Sequence, residues 1–416
     1  MSKVKIFSSL PRGTIVLPSS KSDAHRKIIA SSLCFGQTSL IEGVDFSDDI
    51  NRTIEAMRNF ANIEIKGHTL KITSFIPQEK KASFNAYESG STLRFLIPLF
   101  SQFFDETIIE GQQRLLERPL SIYKDLYQDK LIVEDKITLK GKLDQEEFVI
   151  RGDVSSQFIS GLLFALPLRK KDSRIKIVGN FESKSYVNLT IGVLKEFKIE
   201  ILEVNSNEYL IKGGQRYIAK NVKVEGDYSQ LAFFGVLGVI SSSVKVVNVN
   251  KNSLQGDKKV IDIIKSFNGK VEDIDEGYIF HKSDLVSSTI DLNDNPDLGP
   301  ILFVLAVFSK GTTTFLNTKR LKIKESDRVL AMKKELKKFN VEIIDEENKV
   351  TIRGQEVKTP NQILYPSNDH RILMALSILG TKVKECEIED IKCVNKSYPN
   401  FFKDLFSLGI EGEIYD

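Results

Sequence analysis

Apolar positions along this chain follow two alternating periods. Short runs that alternate apolar and polar residues, rich in Val, Ile and Thr, predict β-strands at 38–42, 107–110, 175–178, 199–204, 244–249, 312–316 and 341–344. Between them, apolar residues recur every three to four positions, the spacing of a helix with one buried face. These stretches predict helices starting near Ser22, Asp48, Ser89, Leu120, Ser155 and Ser185, and again near Ser229, Asp257, Asp297, Glu325, Asp369 and Ser397. Most starts fall at or beside Ser or Asp, whose side-chain oxygens cap the open N–H groups of a first helical turn.

Laid on the first six starts, the second six are each displaced by about 205–215 residues. This order predicts a half-and-half duplication, with a hint of three sub-units per half. An alternating α/β chain can also give such spacing without duplication. No Pro/Gly-rich linker separates the halves, and the best boundary is at Val224-Glu225-Gly226-Asp227.

With 416 residues, 41% hydrophobic and 28% charged, the chain has the composition of a soluble globular protein of two or three domains. A formal net charge of +3 is too small for a general nucleic-acid binder, and no basic stripe with interleaved aromatics is present. Cys34, Cys386 and Cys393 have no CxxC spacing, which fits a reducing compartment and argues against a disulfide framework or a Cys-rich metal site. No apolar run approaches the ~20 residues of a membrane span, and the first residues lack the core of a signal peptide. A cytoplasmic location is expected.

The candidate chemistry sits at the predicted helix starts. Lys322-Ile323-Lys324-Glu325-Ser326-Asp327-Arg328 packs three cations and two carboxylates ahead of an apolar run. Cations there oppose the helix dipole, so the pattern suits an anionic ligand better than it suits helix stability. The bland reading is a solvated charged turn. Pro18 to Arg26 places Lys21 and Arg26 around hydroxyls of Ser20 and Ser22, yet lacks the spaced glycines of a P-loop. Glu88-Ser89-Gly90-Ser91-Thr92-Leu93-Arg94 puts a permissive Gly and small hydroxyls before a helix. Leu116-Glu117-Arg118-Pro119 sets Arg118 at a helix mouth, and Ser155-Ser156-Gln157 offers neutral donors for phosphate or sugar oxygens. Asp297 can cap its helix or take a proton from a hydroxyl. Asn368-Asp369-His370-Arg371 and Asn395-Lys396-Ser397 each put a cation at a helix entrance. Taken singly, each motif also reads as an ordinary cap or a surface turn. If the two halves face one another, the helix starts form an anion trap in which Arg118, Arg328 and Arg371 bind carboxylate or phosphate bidentately.

In this order, from Lys21 to Lys396, the motifs resemble the 5-enolpyruvylshikimate-3-phosphate synthase family of enolpyruvyl transferases. The resemblance implies an α/β (α+β) protein of two similar domains. Each would be a threefold repeat of βαβαββ units, an inside-out α/β barrel, with the active site in the interdomain cleft. The domains would be 20–225 and, discontinuously, 1–19 with 226–416. It implies transfer of the enolpyruvyl group of phosphoenolpyruvate to the 5-hydroxyl of shikimate 3-phosphate, by addition and elimination, with no cofactor and no metal. Carried over by motif, Lys21, Ser22, Arg26, Ser155, Ser156, Gln157, Ser183, Tyr186, Asp297 and Lys324 resemble shikimate 3-phosphate contacts. Lys21, Gly90, Arg118, Gln157, Arg328, Arg371 and Lys396 resemble phosphoenolpyruvate contacts. Asp297 resembles the base for the 5-hydroxyl and Glu325 the acid for the methylene carbon, with Lys21 assisting. Ser19 and Glu88 depart from the common Gly and Asn, and Arg320 stands where some members carry an Asn that contacts the shikimate moiety. The sister enzyme acting on UDP-N-acetylglucosamine remains an alternative, although its Lys-Asn pair is Lys21-Ser22 here and the 94–118 stretch has no Cys. A non-catalytic anion-binding protein is another. A monomer acting on small molecules, without nucleic acid or membrane partners, is expected.

Overall fold

The computed structural model describes residues 2–416. The chain divides into two compact units, Ser19–Val224 and Met1–Pro18 with Glu225–Asp416. Each has its own apolar core, one running from Ala24 to Val224 and the other from Val4 to Ile410.

One sheet design recurs in both units. A parallel edge strand flanks a central strand, followed by two antiparallel strands. In the first unit the three sheets are Val222–Lys223/Thr38–Glu42/Thr69–Ser74/Ala61–Lys66, Lys81–Asn85/Glu106–Glu110/Ile137–Lys140/Leu131–Val133 and Glu147–Arg151/Ser173–Val178/Glu208–Ile211/Ile201–Asn205. The second unit repeats the design in Arg12–Val16/Ser243–Val247/Gly277–His281/Lys270–Ile274 and Thr289–Asp291/Thr312–Leu316/Lys349–Arg353/Ile343–Asp345. Its third sheet, Glu385–Ile388/Lys3–Phe7/Gly412–Tyr415, has the single parallel bridge Leu364↔Ile388 at the edge. The N-terminal strand Lys3–Phe7 therefore completes a sheet built from the far end of the chain.

Two strands are exchanged between the sequence repeats. Arg12–Val16 precedes the helix Lys21–Ser32 of the first unit but pairs in parallel with Ser243–Val247. Val222–Lys223 precedes the helix Tyr228–Ser241 of the second unit but pairs with Thr38–Glu42. The chain thus changes unit twice, after Pro18 and after Val224.

Three helices of the second unit are fully enclosed. Tyr228–Ser241, Gly299–Val307 and His370–Gly380 are buried on every face. Beyond first turns that carry Ser229, Gln230, His370 and Arg371, their sequences are apolar almost all round, most fully in Ile301-Leu302-Phe303-Val304-Leu305-Ala306-Val307, as an enclosed helix requires. Among the described residues no helix is long and apolar enough to cross a membrane.

Several helices begin later than their sequence suggests. The helix expected near Glu325 is Arg328–Lys338, because Asp327 Oδ1 accepts the Leu330 N–H at 2.9 Å and fixes the cap there. The one expected near Ser397 is Phe401–Ser407, since Pro399 disfavours helical backbone at Tyr398. Asp257 and Asp297 sit in 3₁₀ turns, Gly256–Lys259 and Pro296–Leu298, that lead into the helices Val260–Ser266 and Gly299–Val307.

Candidate active site

In the second unit, the seven-residue charged stretch folds around one guanidinium. Arg328 opens its helix with its side chain 1% exposed, and all three of its nitrogens donate to carboxylates. Nε reaches Asp369 at 2.9 Å, Nη1 reaches Asp297 at 2.8 Å and Nη2 reaches Glu325 at 2.6 Å. This resolves the dipole problem posed by the sequence: the cation at the helix start is held by three anions. Burial alone would lower the Arg328 pKa, but Asp369, Glu325 and Asp297 outweigh it and raise it.

Asp297 is shared among cations. Besides Arg328, its carboxylate receives Arg371 Nη2 at 3.2 Å and lies 3.3 Å from Lys324 Nζ. Burial pushes its pKa up, yet Arg371, Lys324 and Arg328 together hold it well below the ordinary aspartate range. Lys324 moves the other way: burial pushes it down to about 8, against the pull of Asp297. Gly299, just after the turn of Asp297, makes a close approach that a side chain would block. A Cβ there would collide with Leu321, in the turn Lys319–Ile323 that leads to Lys324.

Asp369 is wholly buried and does two tasks. Its Oδ1 caps the helix His370–Gly380 by accepting the Arg371 N–H at 2.9 Å, and its Oδ2 also accepts from Ser326 Oγ at 3.1 Å. Lys396, at the end of the turn Ile391–Lys396, donates to the Asn368 carbonyl at 2.7 Å. Glu325, Arg371, Lys324 and Lys396 thus converge with Asp297 on neighbouring helix entrances. A carboxylate set among several cations can accept a proton or yield its partners to an incoming anion.

The first unit gathers a second set of helix starts. Ser20 caps Lys21–Ser32, Ser89 caps Gly90–Phe103 and Ser155 caps Ser156–Ala165, each through its side-chain oxygen. Lys21 Nζ pairs with Asp49 at 2.7 Å. Gln157 bridges two of the helices: its Oε1 accepts from Arg94 Nη1 at 2.7 Å and its Nε2 donates to Ser91 Oγ at 3.0 Å. Gly90 lies against Arg118. A Cβ at that position would meet Arg118 Nη1 at 2.9 Å and Arg94 Nη1 at 3.2 Å. Arg118 Nε is buried without a hydrogen-bond partner among the described residues.

Arg26 is more enclosed than its motif suggests. It is 2% exposed and spends its guanidinium on Thr190 Oγ1, the Ser22 carbonyl and the Tyr186 carbonyl, at 2.8, 2.6 and 3.0 Å. It therefore ties Ser22 to Tyr186, across two helices. Ser183 has left-handed backbone with φ 54° and turns the chain into the helix Lys184–Glu196. Ser156 is buried, while Ser22, Ser155 and Tyr186 are partly exposed.

A family model described as EPSP synthase (3-phosphoshikimate 1-carboxyvinyltransferase) matches residues 8–405. The chain belongs to the EPSP synthase family. Curated relatives named 3-phosphoshikimate 1-carboxyvinyltransferase agree. The one from Clostridium kluyveri is 40% identical and covers 100% of this chain and 98% of its own. The one from Clostridium novyi is 41% identical, with 98% of each chain covered. In fold, the chain is similar to EPSP synthase from Acinetobacter baumannii, at TM-score 0.81 and 22% identity over 100% of both chains. It is also similar to the enolpyruvyl transferase NikO from Streptomyces tendae, at TM-score 0.80 and 13% identity over 99% and 98%.

Within this EPSP synthase fold, the partners of four charged residues escaped sequence reasoning. Asp49 was not singled out and pairs with Lys21, while Arg94, noted one turn into its helix, holds Gln157. Asp369 looked like a cap and is also the Nε partner of Arg328. Asp257 looked like a helix start and is a buried carboxylate, 2% exposed. Asp369 and Arg94 carried a usable signal, the one in its place beside His370 and Arg371, the other closing the Glu88–Arg94 motif. The partners lie 28–63 residues apart in sequence, a distance over which periodicity says nothing.

Proposed function

We propose that this protein transfers the enolpyruvyl group of phosphoenolpyruvate to the 5-hydroxyl of shikimate 3-phosphate, releasing phosphate. The 5-hydroxyl oxygen bonds to C2 of phosphoenolpyruvate while the C3 methylene gains a proton. Asp297 accepts the hydroxyl proton and Glu325 supplies the proton to carbon. Phosphate then leaves C2 with the bonding pair, and the new methyl group returns a proton to restore the double bond. Lys21 offsets negative charge as it develops.

The observation that carries this reading is the gathering of Asp297 and Glu325 on Arg328, with Arg371 and Lys324 beside them. Arg328, Arg371 and Lys396 hold the carboxylate and phosphate of phosphoenolpyruvate, joined by Lys21, Gly90, Arg118 and Gln157. Lys324, Asp297, Ser22, Ser155, Ser156, Gln157, Ser183 and Tyr186 contact shikimate 3-phosphate, and Arg26 supports them by tying Ser22 to Tyr186. Charge-assisted hydrogen bonds of about 1.5–3 kcal/mol each suffice for such anions without a metal bridge. The protein is taken as a monomer, and its three free, buried cysteines are in keeping with the reducing cytoplasm.

The test is phosphate release from phosphoenolpyruvate by the purified protein, with shikimate 3-phosphate or UDP-N-acetylglucosamine as acceptor. Release with shikimate 3-phosphate alone is expected. Release only with the nucleotide sugar would overturn the acceptor, and release with neither would overturn the reaction.

A further inference from the structure

Asp257 is a carboxylate in an expensive place. It lies in the turn Gly256–Lys259, is 2% exposed and faces a second carboxylate, Asp297. Burial pushes its pKa up, Asp297 pushes it further, and Arg371 pulls it down. For stability alone, an apolar or neutral side chain would serve this position better, since a buried charge must be compensated.

The hydrogen bonds of Asp257 indicate what the carboxylate does. One oxygen accepts from Ser229 Oγ, in the first turn of the helix Tyr228–Ser241. The other, Oδ1, accepts from Asn295 Nδ2 at 3.2 Å. Asn295 is 0% exposed and immediately precedes the turn Pro296–Leu298 that carries Asp297. Its backbone closes that turn, because the Leu298 N–H donates to the Asn295 carbonyl at 3.1 Å. Pro296 has no N–H to offer, so the turn has one donor fewer to hold it. Asn295 Oδ1 has no hydrogen-bond partner among the described residues. Asp257 is therefore the polar tether of the Asn295 side chain, and it connects that turn to the buried helix Tyr228–Ser241.

We propose that Asp257 is a positioning residue for Asp297, acting through Asn295. The inference rests on the reading of Asp297 as the base. Asp257 itself touches neither substrate. It fixes the residue before the Asp297 turn, so that the carboxylate meets the hydroxyl at a set distance. Misplacement of a reacting group by about 1 Å can cost about 100-fold in rate.

Asp257→Ala should lower kcat by about 10- to 100-fold, with both KM values within about twofold of wild type. Asp257→Asn should recover most of the loss, because the amide can accept from Asn295 through Oδ1 and donate to Ser229 through Nδ2. Asn295→Ala cuts the same tether from the other side and should show the same split between kcat and KM, which keeps the test open if Asp257→Ala does not fold. In a double-mutant cycle with Asp297→Asn, the two losses should be far from additive. Wild-type kcat in the alanine variants, or additive losses, would overturn the inference while leaving Asp297 as the base. Full turnover by Asp297→Asn alone would instead overturn the reading on which it rests.

Discussion

Asp297→Asn is expected to do two opposite things: stop turnover and tighten phosphoenolpyruvate binding. The carboxylate is ionised, held so by Arg371, Lys324 and Arg328 against the effect of burial. Its contacts at 2.8 Å to Arg328, 3.2 Å to Arg371 and 3.3 Å to Lys324 occupy the cations that an anionic substrate needs. Substrate binding must displace it from at least one, at a cost of about 1.5–3 kcal/mol per charge-assisted bond. Asparagine keeps the shape and removes the competing charge. Because about 1.4 kcal/mol corresponds to tenfold in affinity, relief of one such contact should lower the Kd of phosphoenolpyruvate by about tenfold. Loss of a general base should lower kcat by about 10²–10⁴. The fold should hold, since Arg328 keeps Glu325 and Asp369. The assay is calorimetric titration of phosphoenolpyruvate with shikimate 3-phosphate present, alongside phosphate release, at pH 7. That pH matters because Asp297 supports the charge of Lys324, whose pKa of about 8 would fall further without it. A tenfold weaker Kd with turnover little changed would refute the reasoning and make Asp297 a scaffold for Arg328 and Arg371.

Gly90→Ala puts a methyl 2.9 Å from Arg118 Nη1, so the guanidinium must shift. The KM of phosphoenolpyruvate should rise by about 10-fold or more while that of shikimate 3-phosphate stays within about twofold, in steady-state assays; equal rises would refute it. Lys324 is depressed to about 8, so its ammonium is present below that pH and lost above it. The KM of shikimate 3-phosphate should therefore rise as pH passes through about 8, and Lys324→Arg should remove the step. Over the window from about 8 to the ordinary lysine value the unfolded chain binds the extra proton, so the contribution of this group to stability rises with pH. Arg328→Met leaves Asp369, 0% exposed, without its guanidinium. Urea denaturation should show a loss of about 3–5 kcal/mol, partly recovered by adding Asp369→Asn, and a loss under about 1 kcal/mol would contradict the ion-pair reading.

What could be read along the chain was local. Ser20, Ser89, Ser155, Asp227 and Asp369 announce helix starts because a cap binds an N–H two or three residues away. Strands such as Thr38–Glu42 and Thr312–Leu316 announce themselves by alternation, because one face of each is buried. The enclosed helices show their burial in long apolar runs such as Ile301–Val307. The charged stretch before Arg328 was visible as an anomaly, since its cations oppose the helix dipole. What balances them was not visible. Asp369 is 41 residues from Arg328, Asn295 is 38 from Asp257, and Arg12–Val16 finds its partner strand over 200 residues away. No local preference encodes such pairings. They are set when buried faces pack and leave each internal charge to find a counter-charge or bear the full cost of desolvation.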